Sequence, residues 1–223
     1  MHLYLIRHGE SFVNLEDWEH GYVDVGLTDL GQQQAAALGV WLPDHLSQID
    51  VLYTSTLKRA QETADALSRA YNLPAHEEDR IREIGTTLMD HSPWNDEDTP
   101  HKFAGFWGTA RPFTPTTVIP DPGESWMHFK VRVGAAIETI IERHHKQTVV
   151  VVCHGGVIDA AFDHIYNVGP WRRCETWTDN TGITYFEYIE HPGRELWRLH
   201  YYNRIDHLLS AGIPVTKLQV KEA

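Results

Sequence analysis

Thr148-Val149-Val150-Val151-Val152-Cys153 is an unbroken apolar run that ends in His154-Gly155-Gly156. A strand with one wet face alternates apolar and polar residues, whereas a run apolar at every position has both faces buried. Two more short apolar runs, Leu3 to Ile6 and Ile49 to Tyr53, the second interrupted by Asp50, read the same way. Helical patterns separate them. Thr28 is placed to cap a helix running to about Trp41, with Pro43 just beyond its end. Leu57, Ala60, Ala64, Leu67 and Tyr71 fall on one stripe of a second helix. Trp126, Phe129, Val133, Ile137 and Ile140 mark a third, entered through Pro122-Gly123-Glu124-Ser125, and another helix is expected after Gly155-Gly156. Two late strands are predicted over Ile183 to Ile189 and Leu196 to Tyr201. Strands alternating with helices predict the α/β class, as a three-layer α/β/α sandwich around a mostly parallel central sheet.

No internal repeat, low-complexity tract or linker divides the 223 residues, so a single domain over 1–223 is expected. The net charge of −12 argues against nucleic acid or an anionic lipid surface as partner. It leaves room for a small anionic substrate, because a few arginines in a cleft set the local field. Cys153 and Cys174 form no CxxC pair or disulfide framework. Met1 to Ile6 is too short for a signal-peptide core, and no apolar run approaches the ~20 residues of a membrane span. The expectation is a cytoplasmic protein. Oligomeric state is not legible.

In an open α/β sheet, ligands bind beyond the carboxyl ends of the strands. The first strand runs into Arg7-His8-Gly9-Glu10-Ser11, the second into Thr54-Ser55-Thr56 with Arg59 close behind, and the third into His154-Gly155-Gly156. Two histidines and two arginines therefore meet at one sheet edge if these strands are neighbours. Arg59 falls in the first turn of its helix, where a cation opposes the macrodipole at a cost of roughly 0.3–1 kcal/mol. A bound anion at that helix start would reverse the conflict. Arginine forks match phosphate oxygens, and a neutral imidazole is a competent nucleophile near neutral pH. The chemistry that fits is in-line attack on a phosphoryl group, giving a phosphohistidine that water opens.

Arg7-His8-Gly9-Glu10-Ser11-Phe12-Val13-Asn14 resembles the R-H-G-[EQ]-[ST]-x-x-N signature of the histidine phosphatase superfamily, the phosphoglycerate mutase-like proteins. The likeness continues through Gly21 to Gly31, Ser55 to Ala64, Gly123-Glu124-Ser125 and His154-Gly155-Gly156, in the family's order. The resemblance implies a phosphoglycerate mutase-like fold, His8 as the phosphorylated nucleophile, and Arg7, Arg59 and His154 around the phosphate. Asn14, Gly21 and Gly155 are implied as further phosphate or substrate contacts. It also implies a carboxylic acid as proton donor in Ile81-Arg82-Glu83-Ile84, hence Glu83, with Asp79 and Asp90 as alternatives. Gly26 stands where the family commonly has proline, and a looser turn is the expected consequence.

The resulting expectation is a metal-independent phosphomonoester hydrolase acting on a small phosphorylated metabolite, with no cofactor. A phosphoglycerate-type mutase is the alternative, and a silent phospholigand-binding module a more distant one. Fifteen histidines raise a metallohydrolase, but no H-E-x-x-H or comparable ligand spacing occurs. Residues 85–123 are rich in proline and aromatics and read as a lid over the substrate cleft. Within them Thr99-Pro100 predicts a helix start that sets Phe103, Phe106 and Trp107 on one face.

Overall fold

A computed structural model describes residues 1–15, 23–95, 114–119, 122–172, 174–191 and 193–215. The opening apolar run forms β1 (His2–Arg7), and the polyvaline run forms β6 (Thr148–Cys153). With β2 (Val51–Thr54), β3 (Ala75–Glu77), β7 (Ile183–His191) and β8 (Arg194–Arg204) they build one sheet in the order β3-β2-β6-β1-β7-β8. The first four strands in that order are parallel, while β7 and β8 join antiparallel. A separate two-stranded pair, β4 (Val118–Ile119) and β5 (Glu124–Ser125), lies between β3 and β6 in the chain.

Side-chain alternation explains why the strands read as unbroken apolar runs. Leu3, Leu5, Val149, Val151 and Cys153 face one core, shared with α3 (Trp126–Arg143) and α4 (Gly155–Ile165). Their neighbours Tyr4, Ile6, Val150 and Val152 face the other, shared with α1 (Asp29–His45) and α2 (Lys58–Tyr71). Helices thus cover both faces of the sheet, the three-layer arrangement expected from the sequence. A last helix, α5 (Asp206–Ala211), packs beside α1. Burying the four inner positions Val149 to Val152, each at most 1 % exposed, contributes roughly 1.5–3 kcal/mol per side chain before conformational entropy is subtracted.

The helix caps follow the sequence, with one correction. Thr28 caps α1 by accepting from the Gly31 N–H, and Ser125 caps α3 by accepting from the His128 N–H. Pro43, however, lies inside α1 rather than beyond it. Proline near a helix end removes one ladder bond, here to Gly39, and the last turn still buries Leu42 and seats Leu46 on the core. No described helix is long and apolar enough to cross a membrane. Of the 85–123 segment, residues 96–113, 120 and 121 lie outside the described residues, and with them the Thr99-Pro100 helix start, Phe103, Phe106 and Trp107.

Candidate active site

Because β2, β6 and β1 are adjacent, the three strand ends that carry histidine and arginine open side by side. They bound a pocket of about 250 Å³ lined by Arg7, His8, Asn14, Arg59, Glu83 and Gly155, among others. His154 is buried and does not itself line the pocket; its ring centroid lies 5.1 Å from that of His8. Gly21 lies outside the described residues.

His8 follows β1 and is fixed at both ends of its ring. Its backbone N–H donates to the Cys153 carbonyl at 3.0 Å, tying the loop to β6. Ring Nδ1 lies 2.6 Å from the Gly9 carbonyl, an acceptor, so Nδ1 carries the proton and Nε2 the lone pair. Arg59 Nε donates to that Nε2 at 3.2 Å, in keeping with the same tautomer. Burial, with Arg59 and Arg7 alongside, holds the His8 pKa well below the ordinary histidine value. The imidazole is therefore neutral at physiological pH.

His154 is the residue that precedes α4. Its Nε2 lies 2.8 Å from Ser55 Oγ, while Nδ1 is buried without a hydrogen-bond partner among the described residues. Burial and Arg59 also hold its pKa well below the ordinary value. Arg7 donates through Nη1 to the Thr178 carbonyl at 2.5 Å, and its Cζ lies 5.6 Å from the Trp177 ring centroid. Arg7 Nε is buried and unpartnered among the described residues. Buried donors of this kind cost free energy unless an acceptor meets them.

Arg59 does sit at the start of α2, and the anion beside it belongs to the chain itself. Asp24 Oδ2 accepts from the Arg59 N–H at 3.3 Å and lies 3.3 Å from Nη1, a charge contact without hydrogen-bond alignment at that nitrogen. The Asp24 loop also corrects the reading of Gly26. Its φ is +107°, a conformation closed to proline, so glycine here sets a different chain path rather than a looser turn. The path lets Leu27 N–H donate to Glu62 Oε2 at 2.7 Å.

Asn14 owes its orientation to three donors. Ser11 N–H, Ser11 Oγ and Asn180 Nδ2 all approach its Oδ1, at 3.1, 3.0 and 3.4 Å. With Oδ1 so occupied, the Nδ2 amide of this pocket-lining residue is left to donate elsewhere. Asn180, 1 % exposed, also donates to the His8 carbonyl at 2.9 Å. Next to it Thr181, at φ +57°, donates its N–H to the Arg7 carbonyl at 3.0 Å. A β-branched residue in the left-handed region is strained.

Of the three candidate acids, only Glu83 lines the pocket. Its Oε2 accepts from Gly156 N–H at 3.1 Å and its Oε1 from Ile84 N–H at 2.8 Å. Burial raises its pKa above the ordinary glutamate value, against the pull of those bonds and of Arg59 and Arg7. Asp79 instead accepts from Thr56 Oγ1 at 2.7 Å and pairs with Arg82 at 3.6 Å. Asp90 is exposed and accepts from Ser92 N–H and Oγ, which hold its pKa below the ordinary value. No described residue of 85–123 lines the pocket; Asp159, Glu175 and Trp177 do, none of them singled out by the sequence. Among the described residues no His, Cys, Asp or Glu cluster is arranged to hold a metal.

A family model described as "Histidine phosphatase superfamily (branch 1)" matches residues 3–203. The chain is 37% identical over 160 residues to phosphoserine phosphatase 1 of Hydrogenobacter thermophilus, covering 68% of this chain and 70% of that protein. It is 32% identical over 165 residues to a 2,3-bisphosphoglycerate-dependent phosphoglycerate mutase of Bartonella henselae, covering 71% and 78%. A solved structure of Bacillus stearothermophilus YhfR superimposes with a TM-score of 0.69 at 28% identity, covering 93% of this chain and 98% of that one.

Proposed function

The chain belongs to the histidine phosphatase superfamily, and from that premise we propose that it is a metal-independent phosphomonoester hydrolase with His8 Nε2 as nucleophile. One observation carries the reading: a buried, neutral imidazole whose Nδ1 proton is held by Gly9 and whose Nε2 lone pair lies in a pocket with two arginines. In the first step Nε2 attacks phosphorus in line, the P–O bond to the substrate breaks, and Glu83 gives its proton to the departing alkoxide. In the second, water attacks the phosphohistidine, Glu83 takes the water's proton, and inorganic phosphate leaves. Arg7, Arg59, His154 Nδ1 and the Asn14 amide donate to the phosphoryl oxygens, supplying positive charge where it develops. The raised pKa of Glu83 suits a group that must start protonated.

The same proposal takes the chain as one cytoplasmic domain acting on a small phosphorylated metabolite, a size supported by the pocket of about 250 Å³. Residues 85–123 remain its proposed lid. The test is chemical. Phosphoenzyme labelled from substrate should survive alkaline quench and be lost rapidly in acid, as a phosphoramidate is, and His8→Ala should take up no label. An acid-stable, alkali-labile adduct would be an acyl phosphate and would exclude the histidine. Exhaustive chelation should leave turnover unchanged. The mutase relative supports a second reading: isomer interconversion of a phosphoglycerate faster than phosphate release would select it.

A further inference from the structure

We propose that the buried Glu124–Arg132 pair is a positioning device for the Glu83 carboxyl, an inference that rests on Glu83 being the proton donor. Glu124, at the centre of the Gly123-Glu124-Ser125 block, is 0 % exposed, and Arg132, on α3, is 1 % exposed. A guanidinium has five N–H donors, and here all five are used. Nε and Nη2 donate to the two Glu124 oxygens at 2.8 and 2.5 Å. Nη1 donates to the carbonyls of Arg80 and Arg82, each at 2.8 Å, and Nη2 to the carbonyl of Glu83 at 3.3 Å.

A buried ion pair is a poor device for stability alone, because desolvating both charges offsets much of their attraction. What this pair accomplishes is local. Residues 80–83 leave a 3-10 turn at Asp79–Ile81 and run extended at Arg82, outside the named strands. Their carbonyls have no ladder to satisfy them, and Arg132 gathers three at one point. Glu83 is thereby held at its root by Arg132 and at its tip by the Gly156 and Ile84 N–H groups. Thr86 N–H and Oγ1 share the Glu83 carbonyl at 3.3 and 2.5 Å, but they reach only that one of the three. Glu124 is the counter-charge that allows a guanidinium to sit so deep. Its effect on the acid is indirect, through Arg132 and the backbone.

The experiment compares single-turnover phosphorylation of the full chain by an alkyl phosphate and by p-nitrophenyl phosphate, whose leaving group hardly needs a proton. Arg132→Lys keeps the charge with too few donors, and the double variant Glu124→Leu/Arg132→Met removes both charges together. Each should slow the alkyl ester by about 10²-fold, the loss expected for a donor misplaced by about 1 Å. The aryl ester should stay within about threefold of wild type, since general-acid help is what it lacks. A role in folding alone would slow both esters equally. Folded variants that keep the wild-type alkyl-to-aryl ratio would overturn the proposal, and so would failure of both variants to fold, which would make the pair a requirement of the whole domain. Glu83→Gln serves as the reference. If it too shows no leaving-group selectivity, the proton-donor reading itself has failed.

Discussion

Gly156→Ala places one methyl group at the point where the site is tightest. A Cβ at Gly156 would lie far inside contact distance of Glu83 Oε1 and 3.2 Å from its Cδ. Carbon contacts are optimal at about 3.5–4.0 Å, so the carboxyl must retreat by roughly 1 Å. That retreat breaks its 3.1 Å bond from the Gly156 N–H and withdraws the proton from the leaving oxygen. A misplacement of this size costs about 10²-fold in rate, equivalent to about 2.7 kcal/mol of barrier. The fold should tolerate the change. Residue 156 is the second of α4, where alanine is favoured over glycine by roughly 0.5–1 kcal/mol, which offsets part of the local crowding. The assay is rapid-quench phosphorylation with alkyl and p-nitrophenyl phosphates, alongside urea denaturation. We expect a selective alkyl defect in a protein of nearly unchanged stability. A folded Gly156→Ala enzyme with wild-type rates on both esters would refute the geometry assigned to Glu83.

Three further outcomes are expected. The folded pKa values of His8, His154 and His207 all lie below the ordinary 6.5, His207 at about 4. The unfolded chain therefore binds protons that the folded chain refuses, and stability should be full above pH 6.5 and fall on acidification by about 1.4 kcal/mol per pH unit for each histidine; urea midpoints from pH 7.5 to 5 would measure it, and His207→Asn should remove one histidine's share. Asn180→Ala should cost about 0.5–1.5 kcal/mol of stability and up to tenfold in rate on both ester types alike, because it leaves the His8 carbonyl with only the Thr181 N–H at 3.3 Å and removes one of the three donors to Asn14 Oδ1. The pH profile for alkyl phosphates should keep its acid limb below pH 6.5, where His8 protonates, and carry an alkaline limb above the ordinary glutamate range that Glu83→Gln abolishes.

The layered fold was readable because burial on both faces leaves an unmistakable trace. Leu3 and Leu5 serve one core, Tyr4 and Ile6 the other, and the run shows no polar gap. β3 escaped notice because Ala75-His76-Glu77 is short, exposed at two of its three residues, and an edge strand paired with β2 on one side. His8, Arg7, Arg59 and His154 were legible because strand ends put them in place by topology. The position of Glu83 at the pocket was expected only from resemblance, since it depends on Gly156, a partner far along the chain. Asp24 lay within a matched block without any sign that its carboxylate meets Arg59. Asn180 left no periodic trace at all. It occupies an irregular loop, and only folding brings its amide to His8.

The position of β1 between β6 and β7 has a consequence for synthesis. Leu3 pairs with Val149 on one side and Phe186 on the other. A ribosome adding about 5–20 residues per second separates Leu3 from Phe186 by roughly 10–40 s. Until β6 is made, β1 has neither neighbour, and until β7 is made it has at most one, so its apolar stretch is open to chaperones or to another nascent chain. The candidate site is thus assembled late although His8 is translated well before its partners. A transcript cut after α4 would yield a chain with α1 to α4 complete and β1 exposed along one edge, a template for aggregation.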